Sequence, residues 1–93
     1  MQKKSTKLTQ EPNTAKRERS ILVIEDDQFL RDLIVKKLEG AGLEITQAID
    51  GEEGLRFIRE SRPALVLLDL ILPGIDGFEV LKQVGADPTI KDI

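Results

Sequence analysis

The apolar and polar positions change rhythm at Ser20. Before it, in MQKKSTKLTQEPNTAKRERS, the apolar side chains Met1, Leu8 and Ala15 follow neither a helical nor a strand period, so residues 1–20 are expected to form a disordered polar tail. After it, Ile21-Leu22-Val23-Ile24 is a continuous apolar run closing on Glu25-Asp26-Asp27, the pattern of a short strand buried on both faces. From Gln28 to Glu39 the apolar residues Phe29, Leu30, Leu33, Ile34 and Leu38 fall at helical spacing, with Asp27 placed to cap the start and Gly40 the end.

The unit then recurs twice. Leu43 to Ile49 alternates as an outer strand does, and Asp50-Gly51 opens a helix to about Glu60 carried by Leu55, Phe57 and Ile58, with Gly54 as a weak point. Ser61-Arg62-Pro63 stops it. Ala64-Leu65-Val66-Leu67-Leu68 is the most apolar run, hence expected to be the most central strand, and it ends at Asp69. After a Pro73-Gly74 turn, Asp76-Gly77 begins a third helix with Phe78, Val80, Leu81 and Val84 on its apolar side, finishing near Gly85. Phe29, Phe57 and Phe78 are all expected in the core. The alternation predicts an α/β fold, a doubly wound parallel sheet with helices on its faces. In such sheets ligands sit beyond the carboxyl ends of the strands, which here are Glu25-Asp26 and Asp69.

Composition narrows the chemistry. The 93 residues hold no Cys and no His, which excludes disulfides, thiolate sites and the usual general base, and leaves carboxylates to do any work. No apolar run approaches the roughly 18 residues of a membrane span and no secretion signal is visible, so a soluble cytoplasmic protein with no membrane role is expected. The net charge of −3 conceals a division: residues 1–20 carry six basic and two acidic groups, residues 21–93 eight basic and fifteen acidic. An acidic folded part argues against direct nucleic-acid binding, which needs Lys and Arg against phosphates.

If the first and third strands are neighbours, Glu25, Asp26 and Asp69 converge on one pocket, since paired strands lie about 4.8 Å apart. Three carboxylates so close repel one another, and a divalent cation is the usual remedy. An all-oxygen, incomplete ligand set favours Mg²⁺. An aspartate beside Mg²⁺ is a competent nucleophile toward phosphorus. Taken alone, Glu25-Asp26 reads better as a solvated turn capping a helix; an aspartate directly after five apolar residues tips the balance toward a site.

The segments ILVIEDD and LVLLDLILPGIDG, each followed by a helix, resemble the receiver domain of two-component response regulators from about Ile21 to Ile93. The resemblance implies a flavodoxin-like fold with strand order 2-1-3. It makes Asp69 the phosphoacceptor and Asp26 a direct Mg²⁺ ligand, with Glu25 acting mainly through water and the Ile71 backbone carbonyl as a further ligand. It assigns Asp27 to helix capping, and Pro73, Gly74 and Gly77 to shaping the adjacent loop. Its implied partner is a sensor histidine kinase or phosphotransfer protein.

The family also uses a Ser or Thr after a fourth strand and a Lys after a fifth, and no position here corresponds to either, so residues 21–93 are expected to be a partial receiver domain, truncated before the fourth strand. That leaves the third strand as an exposed edge inviting self-association. A haloacid-dehalogenase-like phosphatase is disfavoured because it needs a second aspartate where Ile71 stands. The remaining alternative is a non-switching receiver-like interaction module or inactive fragment.

Overall fold

A short apolar run becomes a central strand only if both of its faces and both of its edges are covered, and Ile21 to Ile24 meets that condition. The computed structural model describes residues 18–93, so the expected tail, apart from its last three residues, lies outside the described residues. The order is β1 (Ser20–Ile24), α1 (Gln28–Glu39), β2 (Glu44–Ala48), α2 (Gly51–Ser61), β3 (Leu65–Leu68) and α3 (Gly77–Ala86). The three strands are parallel in the order β2-β1-β3, as expected, with Ile24 level with both Ala48 and Leu68.

Because side chains alternate across a strand, β1 feeds two cores. Leu22 and Ile24 point toward α2 and α3, where they join Ala48, Leu55, Ile58, Leu72, Val80 and Ile90. Ile21 and Val23 point the other way, onto Val35 of α1. Gly54, a weak point for an isolated helix, has a packing reason: a Cβ there would lie 2.4 Å from Ile24 Cδ1, so α2 sits this close to the sheet only with glycine at that position. Each helix is capped by an aspartate accepting from a backbone N–H three residues on: Asp27 from Leu30, Asp50 from Glu53 and Asp76 from Glu79.

Two expectations fail. The most apolar run is not the most central or most buried strand: β3 stands at the edge expected of a partial domain, pairing only with β1 among the described residues, and Leu65 is 50% exposed. Leu65 and Leu67 lie level with Ile21 and Val23 on the same face, but α1 packs there mainly on β1 and β2. Nor are all three phenylalanines core. Phe57 packs against the main cluster, whereas Phe29 is 75% and Phe78 64% exposed. A helix can turn only one stripe to the sheet. In α1 that stripe runs through Arg31, Ile34, Val35 and Leu38, which rotates Phe29 and Leu33 outward.

Residues 87–93 fold back against the end of α2. Asp87 Oδ1 accepts from the Thr89 backbone N–H at 2.9 Å and the Thr89 hydroxyl at 2.7 Å, and Arg59 Nε donates to Asp87 Oδ2 at 3.5 Å. Arg62 donates to the Thr89 carbonyl, and Ile90 is fully buried in the main core. The Thr89 hydrogen bonds, helped by Arg59, hold the Asp87 carboxyl below its ordinary value near 3.8. A depressed folded-state pKa stabilises the fold above the unfolded value and loses that contribution as pH falls through the folded one. Ile90 methyl resonances should therefore shift toward exposed values in acid, below about pH 4, whereas Asp87→Ala, which has no carboxyl to titrate there, should show the shift already at neutral pH. Identical acid titrations of the two chains would disprove this link.

Candidate metal centre

The sheet ladder continues one residue past the strands and brings the acidic segments level. The Asp69 N–H donates to Ile24 O at 3.1 Å, and the Glu25 N–H donates to Ala48 O at 3.1 Å. Both motifs thus emerge at the carboxyl end of the sheet from hydrogen-bonded backbone. The result is the predicted cluster: Glu25, Asp26 and Asp69 each offer a carboxylate oxygen, all within 4.8 Å of one another.

The three differ in surroundings. Glu25 is only 6% exposed, Asp69 is half-buried, and Asp26 is exposed. Glu25 Oε2 accepts from the Asp27 N–H at 3.1 Å, and Asp69 Oδ1 accepts from the Ile71 N–H at 3.0 Å. Burial pushes the Glu25 carboxyl above its ordinary value, and the nearby Asp69 charge adds to this, while the Asp27 N–H opposes it. The donor set is therefore all oxygen, partly desolvated and mutually repelling, which fits a hard divalent cation and leaves room for further oxygen ligands. Asp27 lies outside the cluster and caps α1, as expected. Ile71 stands beside it, 84% exposed and with its N–H turned to Asp69. Gly77 closes the loop by donating its N–H to Leu70 O at 3.1 Å.

One residue escaped sequence reasoning. Arg31 Nη1 donates to the Glu25 carbonyl at 2.8 Å and lies 3.5 Å from the Asp26 carbonyl, while its Nε donates to Gln47 Oε1 at 3.2 Å. The available signal was a charged residue on the inward stripe of α1, four positions before Val35.

Glu25→Gln is expected to raise the melting temperature of the metal-free chain at pH 7. A carboxyl whose folded-state pKa is raised favours the fold below its unfolded value and loses that contribution as pH rises through the folded one, so the ionised form burdens the fold at neutral pH. The gain should amount to a few degrees at pH 7 and shrink toward pH 4, as the difference in charge between the two side chains diminishes. Thermal melts of both chains at the two pH values test this; a difference that does not depend on pH would count against it.

Residues 21–92 match the family model of the response regulator receiver domain. The transcriptional regulatory protein AfsQ1 of Streptomyces coelicolor is 46% identical over 65 residues, covering 70% of this chain and 29% of its own length. The DNA-binding dual master transcriptional regulator RpaA of Synechocystis is 41% identical over 73 residues, covering 78% of this chain and 30% of its own. Among solved structures, the N-terminal domain of a response regulator receiver protein from Methanoculleus marisnigri superposes with a TM-score of 0.77 at 38% identity, covering 80% of this chain and 60% of that one. The response regulator TrrA of Thermotoga maritima, solved in complex with Mg(2+)-BeF, superposes with a TM-score of 0.72 at 35% identity, covering 76% and 62%. The chain thus spans less than a third of these curated regulators and about 60% of these solved chains.

Proposed function

Since this chain belongs to the response regulator receiver domain family, we propose that it takes a phosphoryl group onto Asp69 from a histidine kinase or phosphotransfer protein. In this reading Glu25, Asp26 and Asp69 hold Mg²⁺, with the Ile71 backbone carbonyl as a further ligand and Glu25 acting mainly through water. The observation that carries it is the convergence of three carboxylates from two separate segments within 4.8 Å. Bound there, Mg²⁺ supplies positive charge against the carboxylates and the incoming phosphoryl oxygens.

The chain's own residues do the rest. A carboxylate oxygen of Asp69 attacks phosphorus, the bond from phosphorus to the donor's nitrogen or oxygen breaks, and the leaving group departs with the electron pair and takes a proton from solvent. The product is an acyl phosphate. The Ile71 N–H, bonded to Asp69 Oδ1, orients the carboxylate for attack. The only further chemistry in this reading is hydrolysis of that acyl phosphate, so the chain modifies itself and turns over nothing beyond its phosphodonor.

Residues 21–93 form the receiver portion in this reading, working in the cytoplasm; among the described residues no helix is long and apolar enough to cross a membrane. DNA binding belongs to the relatives' names and is not assigned to this domain, whose charge is acidic. The edge of β3 that is unpaired among the described residues, with Leu65 and Leu67 exposed, supports self-association of the 93-residue chain, which size-exclusion chromatography would register as a concentration-dependent shift.

Acetyl phosphate tests the central claim. With Mg²⁺ present, intact mass spectrometry of the 93-residue chain should show one added phosphoryl group, and chelation should prevent it. No addition, or addition indifferent to chelation, would overturn the proposal in favour of a non-switching interaction module.

A further inference from the structure

Building on that reading, we propose that Arg31 is a positioning residue of the acidic site, whose guanidinium holds the Glu25–Asp26 backbone so that both carboxylates stand beside Asp69. The two carbonyls it meets belong to Glu25 and Asp26, the first two residues after β1, where the Glu25 N–H to Ala48 O makes the last ladder bond to β2. Nη1 sits 2.8 Å from one and 3.5 Å from the other, while Nε is anchored at 3.2 Å on Gln47 of β2. One rigid, planar group therefore ties the turn carrying the acids to a neighbouring strand.

How Arg31 uses its donors matters as much as where it lies. Among the described residues the ion pairs are Arg56 with Glu53 and Arg59 with Asp87, and Arg31 makes none. A cation on the backbone of two of the acidic residues has bonded to carbonyl and amide oxygens instead, so the carboxylates stay available to a metal. Groups that orient metal ligands without touching the metal typically change affinity about 10- to 100-fold when removed.

Charge and clamp make opposite predictions. If Arg31 acted only as a nearby positive charge, it would repel Mg²⁺, and its removal would tighten binding. If it acts as a clamp, its removal loosens the site. Calorimetric titration of Mg²⁺ into the full chain should show Arg31→Ala binding about tenfold more weakly. Arg31→Lys, which keeps the charge on a single flexible head, should recover little of that loss. In the metal-free chain the amide resonances of Asp26 and Asp27 should broaden in Arg31→Ala, a readout independent of phosphorylation.

Unchanged or tighter Mg²⁺ binding by a folded Arg31→Ala chain overturns the clamp, as does full recovery with lysine. If Arg31→Ala does not fold, Gln47→Ala removes only the Nε anchor and should weaken Mg²⁺ binding several-fold, and unchanged affinity there overturns the clamp equally. If the unaltered chain binds no Mg²⁺, the proposed function fails, while sharp, unshifted Asp26 and Asp27 resonances in Arg31→Ala would separately sink the clamp.

Discussion

Asp69→Asn is expected to abolish phosphoryl uptake from acetyl phosphate while leaving the fold intact. Asparagine matches aspartate in size, so the backbone bond to Ile24 and the side-chain oxygen facing Ile71 persist. What disappears is the anionic nucleophile, and a neutral amide does not attack phosphorus at a useful rate. One negative charge also leaves the neighbourhood of Glu25, so the metal-free chain should melt at the same temperature as the parent or slightly higher. Intact mass and a thermal melt on the same sample test both halves. Phosphoryl uptake persisting in the Asn chain would move the acceptor elsewhere, and a collapsed melt would mean that Asp69 is structural.

Gly77→Ala should harm both the fold and the site, although the change is one methyl group at the start of a helix. A Cβ at position 77 would lie 2.5 Å from Leu70 Cα and 2.6 Å from Asp69 O, and neither backbone atom can turn aside as a flexible side chain does. The backbone that carries the acceptor must move instead. Overpacking of this kind costs about 1–3 kcal/mol. In a domain this small that lowers the melting temperature by roughly 5–20 °C. Phosphorylation by acetyl phosphate should slow as well, because Asp69 is displaced relative to Glu25 and Asp26. Gly85→Ala is the control: nothing lies within 4 Å of a Cβ there, so the same change in the same helix should stabilise by about 0.4–1 kcal/mol. If both variants melt alike and are phosphorylated alike, the tight packing of Gly77 against the Asp69–Leu70 backbone has no consequence.

The opposite expectations for two glycines of one helix show where local pattern stops being informative. Both read as glycine near a helix end, and nothing along the chain says that one presses on the acceptor backbone while the other faces open space. The same holds for the phenylalanines. Phe29, Phe57 and Phe78 have similar helical settings, yet only Phe57 reaches the core. Periodicity defines stripes on a helix but not which stripe the sheet covers. That depends on how the helix is rotated about its axis, which is set by contacts distant in sequence.

The carboxylate cluster was legible because local features converge on it. Continuous apolar runs mark strands, each run here ends on acids, and parallel strands with right-handed crossovers put those ends on one side of the sheet. Residue order alone thus determined the elements, their α/β arrangement, the 2-1-3 strand order through family resemblance, and the meeting of Glu25, Asp26 and Asp69. It did not determine the outward rotation of Phe29, the approach of Gly77 to the Asp69 backbone or the grip of Arg31 on the acidic turn. Each of these is a distance between segments that a repeating pattern does not encode, because periodicity records which way a side chain points and leaves open what it meets there.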